Sequence, residues 1–268
     1  MRTVKPKKAL GQHFLKDMQV AERIAGTLSG YTHLPVLEVG PGTGVLTRFL
    51  LDSGHDLSVV EIDNESIVYL EKHFPELEGR IITGDFLKLD LNKLFSADFC
   101  IIGNYPYNIS SQIFFKVLEY KDKIPCCSGM LQKEVAERLA APPGSKTYGI
   151  LSVLLQAWYD VEYLFTVSET VFDPPPKVKS GVIRVTRNSR TSLGCDETLF
   201  KTVVKTTFNQ RRKTLRNSIK SILGKEYPDY HLPLFNKRPE QLSVEQFVEL
   251  TEIVDHHLRT RPEVQTPA

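Results

Sequence analysis

Between residues 36 and 119, short runs of β-branched and apolar residues alternate with stretches at helical spacing. A chain patterned this way folds as a parallel sheet covered by helices on both faces. Val36-Leu37-Glu38-Val39 reads as the first strand, followed by a glycine-rich turn over 40–44 and a helix through Leu46, Phe49 and Leu50. Leu57 to Ile62 reads as a second strand. A helix over 64–73 follows, with Asn64 as its N-cap and Ile67, Leu70 and Phe74 at helical spacing. Arg80–Thr83 and Phe99–Ile102 are two more buried strands, and a helix over 110–119 turns Ile113, Phe114, Val117 and Leu118 inward. Residues 161–172 and 178–187 read as an antiparallel pair finishing the sheet, separated by Asp173-Pro174-Pro175-Pro176. After Arg190 the strand signal stops, and 196–258 read as helices broken near Gly224, Pro228, Pro233 and Pro239. The expected organisation is an α/β domain over residues 1–190 and a small C-terminal α-helical domain over 191–268, with a loose tail from Arg259.

Composition narrows the setting. With 41% hydrophobic and 25% charged residues, the chain is neither collagenous nor disordered throughout. Its longest apolar run, Ile150 to Trp158, is broken by Ser152 and Gln156 and falls short of the ~20 residues of a membrane span. The basic N-terminus lacks the apolar stretch of a signal peptide, because Ala9-Leu10 is followed at once by Gly11-Gln12-His13. Cys100, Cys126, Cys127 and Cys195 show no CxxC spacing, which argues against a disulfide framework or zinc site and for a reducing cytoplasm. His256-His257 has no companion ligands at metal spacing and reads as helix surface.

Charge is segregated. The net charge is +2, yet residues 1–16 hold five basic side chains and no acid, and residues 201–225 hold eight and no acid. Removing those segments leaves an acidic remainder. Such segregation points the basic segments at a polyanion.

Four positions at the ends of the parallel strands carry chemistry. In Glu38-Val39-Gly40-Pro41-Gly42-Thr43-Gly44, glycine lets the backbone turn sharply and approach a ligand without a Cβ in the way. The same glycines also suit a plain strand–helix turn. Glu61 ends the second strand, 21 residues after Gly40, where an acid accepts from ribose hydroxyls; together they favour a nucleoside-bearing cofactor. Asp85 follows the third strand and reads either as an acceptor for an adenine amino group or as a local cap. The sharpest signal is Asn104-Tyr105-Pro106-Tyr107, directly after the fourth strand and Gly103. An exocyclic amine on adenine is a poor nucleophile because its lone pair is delocalised. The Asn104 carboxamide oxygen and the Tyr105 carbonyl can accept its two N–H bonds and free that lone pair. Pro106 restricts Tyr105 to extended conformations, and Tyr107 offers a ring for the base to stack on.

Gln12-His13-Phe14-Leu15, Glu38 to Gly44, Glu61, Asp85, Asn104 to Tyr107, Pro174 to Val178, and Phe208-x-x-Arg211-Arg212-Lys213-Thr214-Leu215-Arg216-Asn217 occur in that order. Together, over about residues 7–258, they closely resemble the small-subunit ribosomal RNA adenine dimethyltransferases. The resemblance implies a Rossmann-like S-adenosylmethionine-dependent methyltransferase. It implies transfer of methyl groups from S-adenosyl-L-methionine to the N6 amines of two adjacent adenosines near the 3′ end of 16S rRNA. The partner is then 16S rRNA in the small ribosomal subunit or its precursor, with a role in subunit biogenesis, no metal, no membrane and a monomeric, cytoplasmic protein. By the same resemblance His13, Leu15, Gly40, Glu61, Asp85 and Asn104 contact the cofactor. Asn104, Tyr107 and Phe172 are then the catalytic set, Tyr107 and Phe172 on the two faces of the target base. Phe172 alone reads equally well as a core aromatic ending a strand, and Lys177 as a phosphate contact or a solvated side chain.

Two departures from the family pattern stand out. His13 replaces the usual Asn, so contacts made by that side chain are in question. Tyr105 replaces the usual Leu, with little effect expected where the position acts through its carbonyl. In the basic segment Arg212, Arg216 and Lys220 fall at i, i+4 and i+8, as on one face of a helix whose buried stripe is Phe208, Leu215, Ile219 and Ile222. With Arg211 and Lys213 they are the expected RNA contacts. Adenine-N6 methylation of DNA, a related 23S rRNA methylase and a ribosome-assembly factor are the rival readings. The Phe-x-x-Arg-Arg-Lys-Thr-Leu-Arg-Asn segment favours the small-subunit enzyme.

Overall fold

Strand β1 spans Phe14–Leu15, β2 Val36–Val39, β3 Leu57–Glu61, β4 Ile81–Thr83 and β5 Cys100–Asn104. Then come β6 Cys126–Gln132, β7 Tyr159–Val167, β8 Phe172–Asp173 and β9 Ser180–Arg187. The structure is a computed structural model describing residues 4–260; Arg2 and the tail from residue 261 lie outside the described residues. Seven strands form one sheet in the order β4-β3-β2-β5-β6-β9-β7, parallel from β4 through β6, with β9 antiparallel to both β6 and β7. The chain winds outward from β2 to β3 and β4, then returns to start β5 on the other side of β2. That reversal opens a crevice at the carboxyl ends of β2 and β5.

Local chemistry explains these elements. All four residues of β2 are buried, as a central parallel strand covered on both faces requires. The helix Asn64–His73 is capped by Asp63, one residue before the expected Asn64, through a bond from the Glu65 N–H to Asp63 Oδ1 of 3.2 Å. The helix Ser110–Glu119 buries Ile113, Phe114 and Val117, as its periodicity predicts, while Leu118, expected inward as well, is half-buried.

One central strand has no sequence signature. β6 reads Cys-Cys-Ser-Gly-Met-Leu-Gln, without a β-branched residue, yet six of its seven residues are buried. Its buried Ser128 hydroxyl accepts from Thr27 Oγ1 and donates to the Ile183 carbonyl at 2.9 Å. Gly129 serves Tyr105. The Tyr105 ring is tucked back into the core, 1% exposed, with its hydroxyl donating to the Ser128 carbonyl at 2.6 Å and its ring edge-on to Phe114. The aromatic residue that departs from the family pattern is part of the packing.

The chain divides into two units. One runs to Ala140 and resumes over Trp158–Asn188; the other comprises Ala141–Ala157 and the chain from Ser189 onward. The second boundary lies two residues from the expected break at 190, but 141–157, expected in the α/β domain, groups with the helical unit. In that unit the helices Ile150–Gln156, Glu197–Phe208 and Val244–Thr260 bury Tyr148, Phe200, Phe208 and Phe247, with the Phe208 and Phe247 rings stacked at 5.9 Å. Arg259, expected to begin a loose tail, lies within the last helix and pairs with Asp255 at 2.9 Å.

The basic segment is not the single helix expected. The helix ends at Phe208, residues 209–214 form turns, and short helices follow at Leu215–Ser218 and Lys220–Leu223. Arg211 bonds the Ser145 and Lys146 carbonyls, and the Leu215 N–H donates to the Lys237 carbonyl at 2.8 Å, so the segment is held by partners distant in sequence. Phe208, Leu215 and Ile219 are buried as expected.

The Gly129 position yields a stability test. A Cβ there would lie 2.3 Å from the Gly103 carbonyl oxygen and 2.7 Å from the Tyr105 ring, at a φ of +151° that side chains rarely adopt. Gly129→Ala is expected to cost about 3 kcal/mol or more, read as a fall in the urea midpoint with unchanged slope.

Candidate active site

A cleft of about 250 Å³ opens at the carboxyl ends of β2, β3, β4 and β5, bounded on one side by the N-terminal arm from Leu10 to Leu15. Its floor is the turn after β2. Gly40 and Gly42 adopt φ of +70° and +56°; a Cβ on Gly42 would meet the Phe14 ring at 2.9 Å. Glycine is therefore required twice over, by the turn and by the arm lying on it. The Gly40 N–H continues the sheet ladder to the Val60 carbonyl at 3.0 Å.

Three carboxylates line the cleft. Glu61, 4% exposed, accepts from the Ile62 and Asp63 N–H groups at 2.8 and 2.9 Å through Oε1 and from the Gly42 N–H at 3.1 Å through Oε2. Burial pushes its carboxyl above the usual range against the pull of those three donors. One lone pair, on Oε2, stays open for a ligand hydroxyl. Glu38 is buried at the end of β2, where desolvation pushes its carboxyl up to about 8; the Thr47 hydroxyl, donating to Oε2 at 2.7 Å, opposes that rise, and the neighbouring Glu61 adds to it. Asp85 caps its own turn through Oδ1, accepting from the Leu87 N–H at 3.0 Å, and also lines the cleft. Among the described residues, no Lys or Arg lines the cleft. Such an acceptor-rich, acidic lining disfavours phosphates and suits a cationic nucleoside such as S-adenosylmethionine.

Asn104 closes the fourth side. Its Nδ2 donates to the main-chain carbonyl of His13 at 3.1 Å. A carbonyl can only accept, so the nitrogen end of the carboxamide faces the arm and Oδ1 is left free. Tyr107 is anchored by its hydroxyl to Ser180 Oγ at 2.5 Å, and its ring lies 5.3 Å from that of His13. The His13 imidazole bonds through Nδ1 to the Pro174 carbonyl at 2.8 Å.

The arm itself is fixed by two anchors that sequence did not reveal. Phe14 and Leu15 pair in β1 with Asp173 and Phe172 in β8. Upstream, Lys7 Nζ and Gln12 Nε2 both bond the buried carboxylate of Asp63, Gln12 at 3.3 Å. Burial raises Asp63, but Lys7 and Gln12 more than offset this and hold it below the usual carboxylate range. Lys7 was visible in the sequence as charge, with nothing to mark Asp63 as its partner.

Of the expected cofactor contacts, His13, Leu15, Gly40, Glu61, Asp85 and Asn104 all line this cleft, as does Tyr107. Phe172 does not. Its side chain is fully buried in the core with Leu15, Met130 and Val182, because pairing with β1 turns it inward; the expectation that it stacks on a base is corrected to a core role. Arg211, Arg212, Lys213, Arg216 and Lys220 belong to the helical unit. Arg212, Lys213, Arg216 and Lys220 are all exposed, and Arg216 also donates to the Tyr230 carbonyl at 3.2 Å and Asn236 Oδ1 at 3.0 Å. The single helical face expected for Arg212, Arg216 and Lys220 does not form, since two short helices and a turn carry them.

Comparison with known proteins bears on this site. A family model described as ribosomal RNA adenine dimethylase matches residues 3–256. The chain is 78% identical over 258 residues to ribosomal RNA small subunit methyltransferase A of Parabacteroides distasonis, covering 96% of this chain and 97% of that one. It is 68% identical to the protein of the same description from Bacteroides thetaiotaomicron, covering 97% and 98%. Among solved structures it resembles a dimethyladenosine transferase from Plasmodium falciparum, with TM-score 0.76, 25% identity and coverage of 91% and 98%. It also resembles the 23S rRNA methyltransferase ErmE, with TM-score 0.67, 25% identity and coverage of 90% and 99%.

The buried Glu38 sets a pH dependence. Its folded-state value of about 8 lies above the ordinary 4.5, so between these values the folded chain keeps a proton that the unfolded chain has lost. Stability therefore falls as pH rises through that window, and Glu61, raised as well, acts with the same sign. Glu38→Gln should flatten the decline in urea midpoint measured between about pH 5 and about pH 8.

Proposed function

The chain belongs to the ribosomal RNA adenine dimethylase family, and on that premise we propose that it converts two adjacent adenosines near the 3′ end of 16S rRNA to N6,N6-dimethyladenosine. The enzyme is an S-adenosylmethionine-dependent methyltransferase acting on rRNA adenines. Its substrate is the RNA within the small ribosomal subunit or a precursor, and it works as a cytoplasmic monomer during subunit assembly. No helix among the described residues is long and apolar enough to cross a membrane.

One observation carries the reading. Oδ1 of Asn104 is the free end of a carboxamide whose nitrogen is already committed to the His13 carbonyl, and it stands at the lip of an acidic cleft. S-Adenosylmethionine, when bound, supplies a methyl group on a positively charged sulfur. Glu61 offers its open lone pair to a ribose hydroxyl, Asp85 an acceptor to the adenine amine, and the carboxylate lining favours positive charge in the cleft. Gly40 and Leu15 shape its walls.

On the substrate side, the target adenine leaves its stack and lies against the Tyr107 ring, which the bond to Ser180 holds in place. Asn104 Oδ1 and the Tyr105 carbonyl accept the two N–H bonds of the amine and hold its lone pair toward the cleft. Positioning and exclusion of water account for the rate, with no covalent enzyme intermediate. A monomethylated amine still donates one N–H bond to this pair of acceptors. The dimethylated product donates none and leaves both acceptors unpaired, which favours its release.

RNA affinity comes from the helical unit. There Arg212, Lys213, Arg216 and Lys220 are exposed to phosphates, with Arg212, Lys213 and Lys220 the more mobile cations because Arg216 and Arg211 also bond neutral oxygens within the unit.

The decisive assay uses small subunits from cells lacking this protein, incubated with the enzyme and S-adenosylmethionine and mapped by mass spectrometry. Two neighbouring dimethyladenosines near the 3′ end are expected; methylation of 23S rRNA or duplex DNA instead would overturn the assignment. Asn104→Ala should keep cofactor affinity while turnover drops by about 100-fold or more, measured as single-turnover methyl incorporation. For the RNA face, Arg212→Glu with Lys220→Glu should weaken binding and make the slope of log affinity against log salt shallower by roughly one to two. Filter binding across a salt series reads this directly.

A further inference from the structure

His13 is joined to three parts of the site at once. Residue 13 immediately precedes the two-residue ladder in which Phe14 pairs with Asp173 and Leu15 with Phe172. The next residue on the facing strand is Pro174, which has no N–H and cannot extend that ladder. The imidazole takes over: Nδ1 lies 2.8 Å from the Pro174 carbonyl oxygen, which can only accept, so Nδ1 carries the hydrogen and donates it. The main-chain carbonyl of the same residue receives Asn104 Nδ2 at 3.1 Å. The ring lies 5.3 Å from the Tyr107 ring, inclined at 35°.

We propose that His13 is a positioning residue for methyl transfer: by tying the arm to Pro174, its imidazole fixes the peptide carbonyl that sets the direction of the Asn104 carboxamide. Without the Pro174 bond, residue 13 sits between the Gln12–Asp63 bond on one side and the two-residue ladder on the other, and nothing holds its own peptide against Pro174. Its carbonyl then drifts from Asn104, and the carboxamide turns between donor and acceptor ends. A flipped carboxamide would present N–H groups to the substrate amine, and two donors face to face repel. The inference rests on the functional reading above but assigns the side chain a task other than holding cofactor. It also accounts for the departure from Asn at this position, since an Asn side chain likewise carries an N–H donor on a short stem. His13 is half-buried at the rim of the cleft, so its replacement leaves the sheet and the core untouched.

The test compares His13→Ala, His13→Phe and His13→Asn in the full chain. Turnover at saturating RNA and cofactor should fall about tenfold or more in the Ala and Phe variants, a loss larger than any weakening of S-adenosylhomocysteine binding measured by calorimetry. His13→Phe keeps a ring beside Tyr107 but has no donor, so it separates the hydrogen bond from the ring contact. His13→Asn should recover most of the lost turnover. A second readout does not depend on methylation: solvent exchange of the Asn104 carboxamide protons, followed by NMR, should be slow in the parent, faster in Ala and Phe, and slowed again in Asn. Weakened S-adenosylhomocysteine binding with unchanged turnover would overturn the proposal, as would an Asn variant no better than Ala, or carboxamide exchange insensitive to residue 13. If the parent fails to methylate small-subunit RNA while the exchange pattern holds, the functional reading falls and the positioning role stands.

Discussion

A carboxamide has a donor end and an acceptor end of nearly equal size, and a neighbouring group must decide which one meets a ligand. At Asn104 that group is the His13 carbonyl, and the rest of the site is arranged around holding it. The arm bearing His13 is pinned by Asp63 through Lys7 and Gln12, by Asp173 and Phe172 through the β1–β8 ladder, and by Pro174 through the imidazole. On the other side, Asn104 ends a central strand whose direction is fixed by the Tyr105 ring, locked between Gly103 and Gly129. Both partners of one hydrogen bond are therefore mounted on structure that is rigid for separate reasons.

Charge divides the work. The cleft is lined by Glu38, Glu61 and Asp85 without a Lys or Arg among the described residues, which favours a cationic nucleoside over a phosphate-bearing one. Burial makes the first two carboxyls poorer acids than in water, so a positive ligand brings each back toward ionisation. Exposed Arg212, Lys213 and Lys220 sit on the helical unit, where solvation costs little and a phosphate backbone is the natural counterion.

The strand–helix alternation, the glycine turn, Glu61, Asp85 and Asn104 to Tyr107 were legible because each is a local pattern with a local cause. What escaped was non-local. β6 has no β-branched residues because Gly129 must admit the Tyr105 ring and Ser128 must meet Thr27, demands set by other strands. Phe172 could be read two ways until pairing with Leu15 fixed its face. Helical spacing in the basic segment counted charges correctly but could not foresee Arg211 reaching the carbonyls of Ser145 and Lys146. The placement of 141–157 with the helical unit was hidden for the same reason, since that segment packs against residues far ahead of it.

The β1–β8 ladder joins residues 14 and 15 to residues 172 and 173, far apart in the sequence of the α/β unit. During synthesis the arm leaves the ribosome first, yet the strand it pairs with emerges only after some two-thirds of the chain has been made. The parallel strands β2 to β5 can assemble before then from neighbouring segments, while the wall of the cleft has to wait. Closing so long a loop for two residue pairs is entropically costly, so the arm relies on its side-chain anchors, Lys7 and Gln12 on Asp63 and His13 on Pro174, to stay in place.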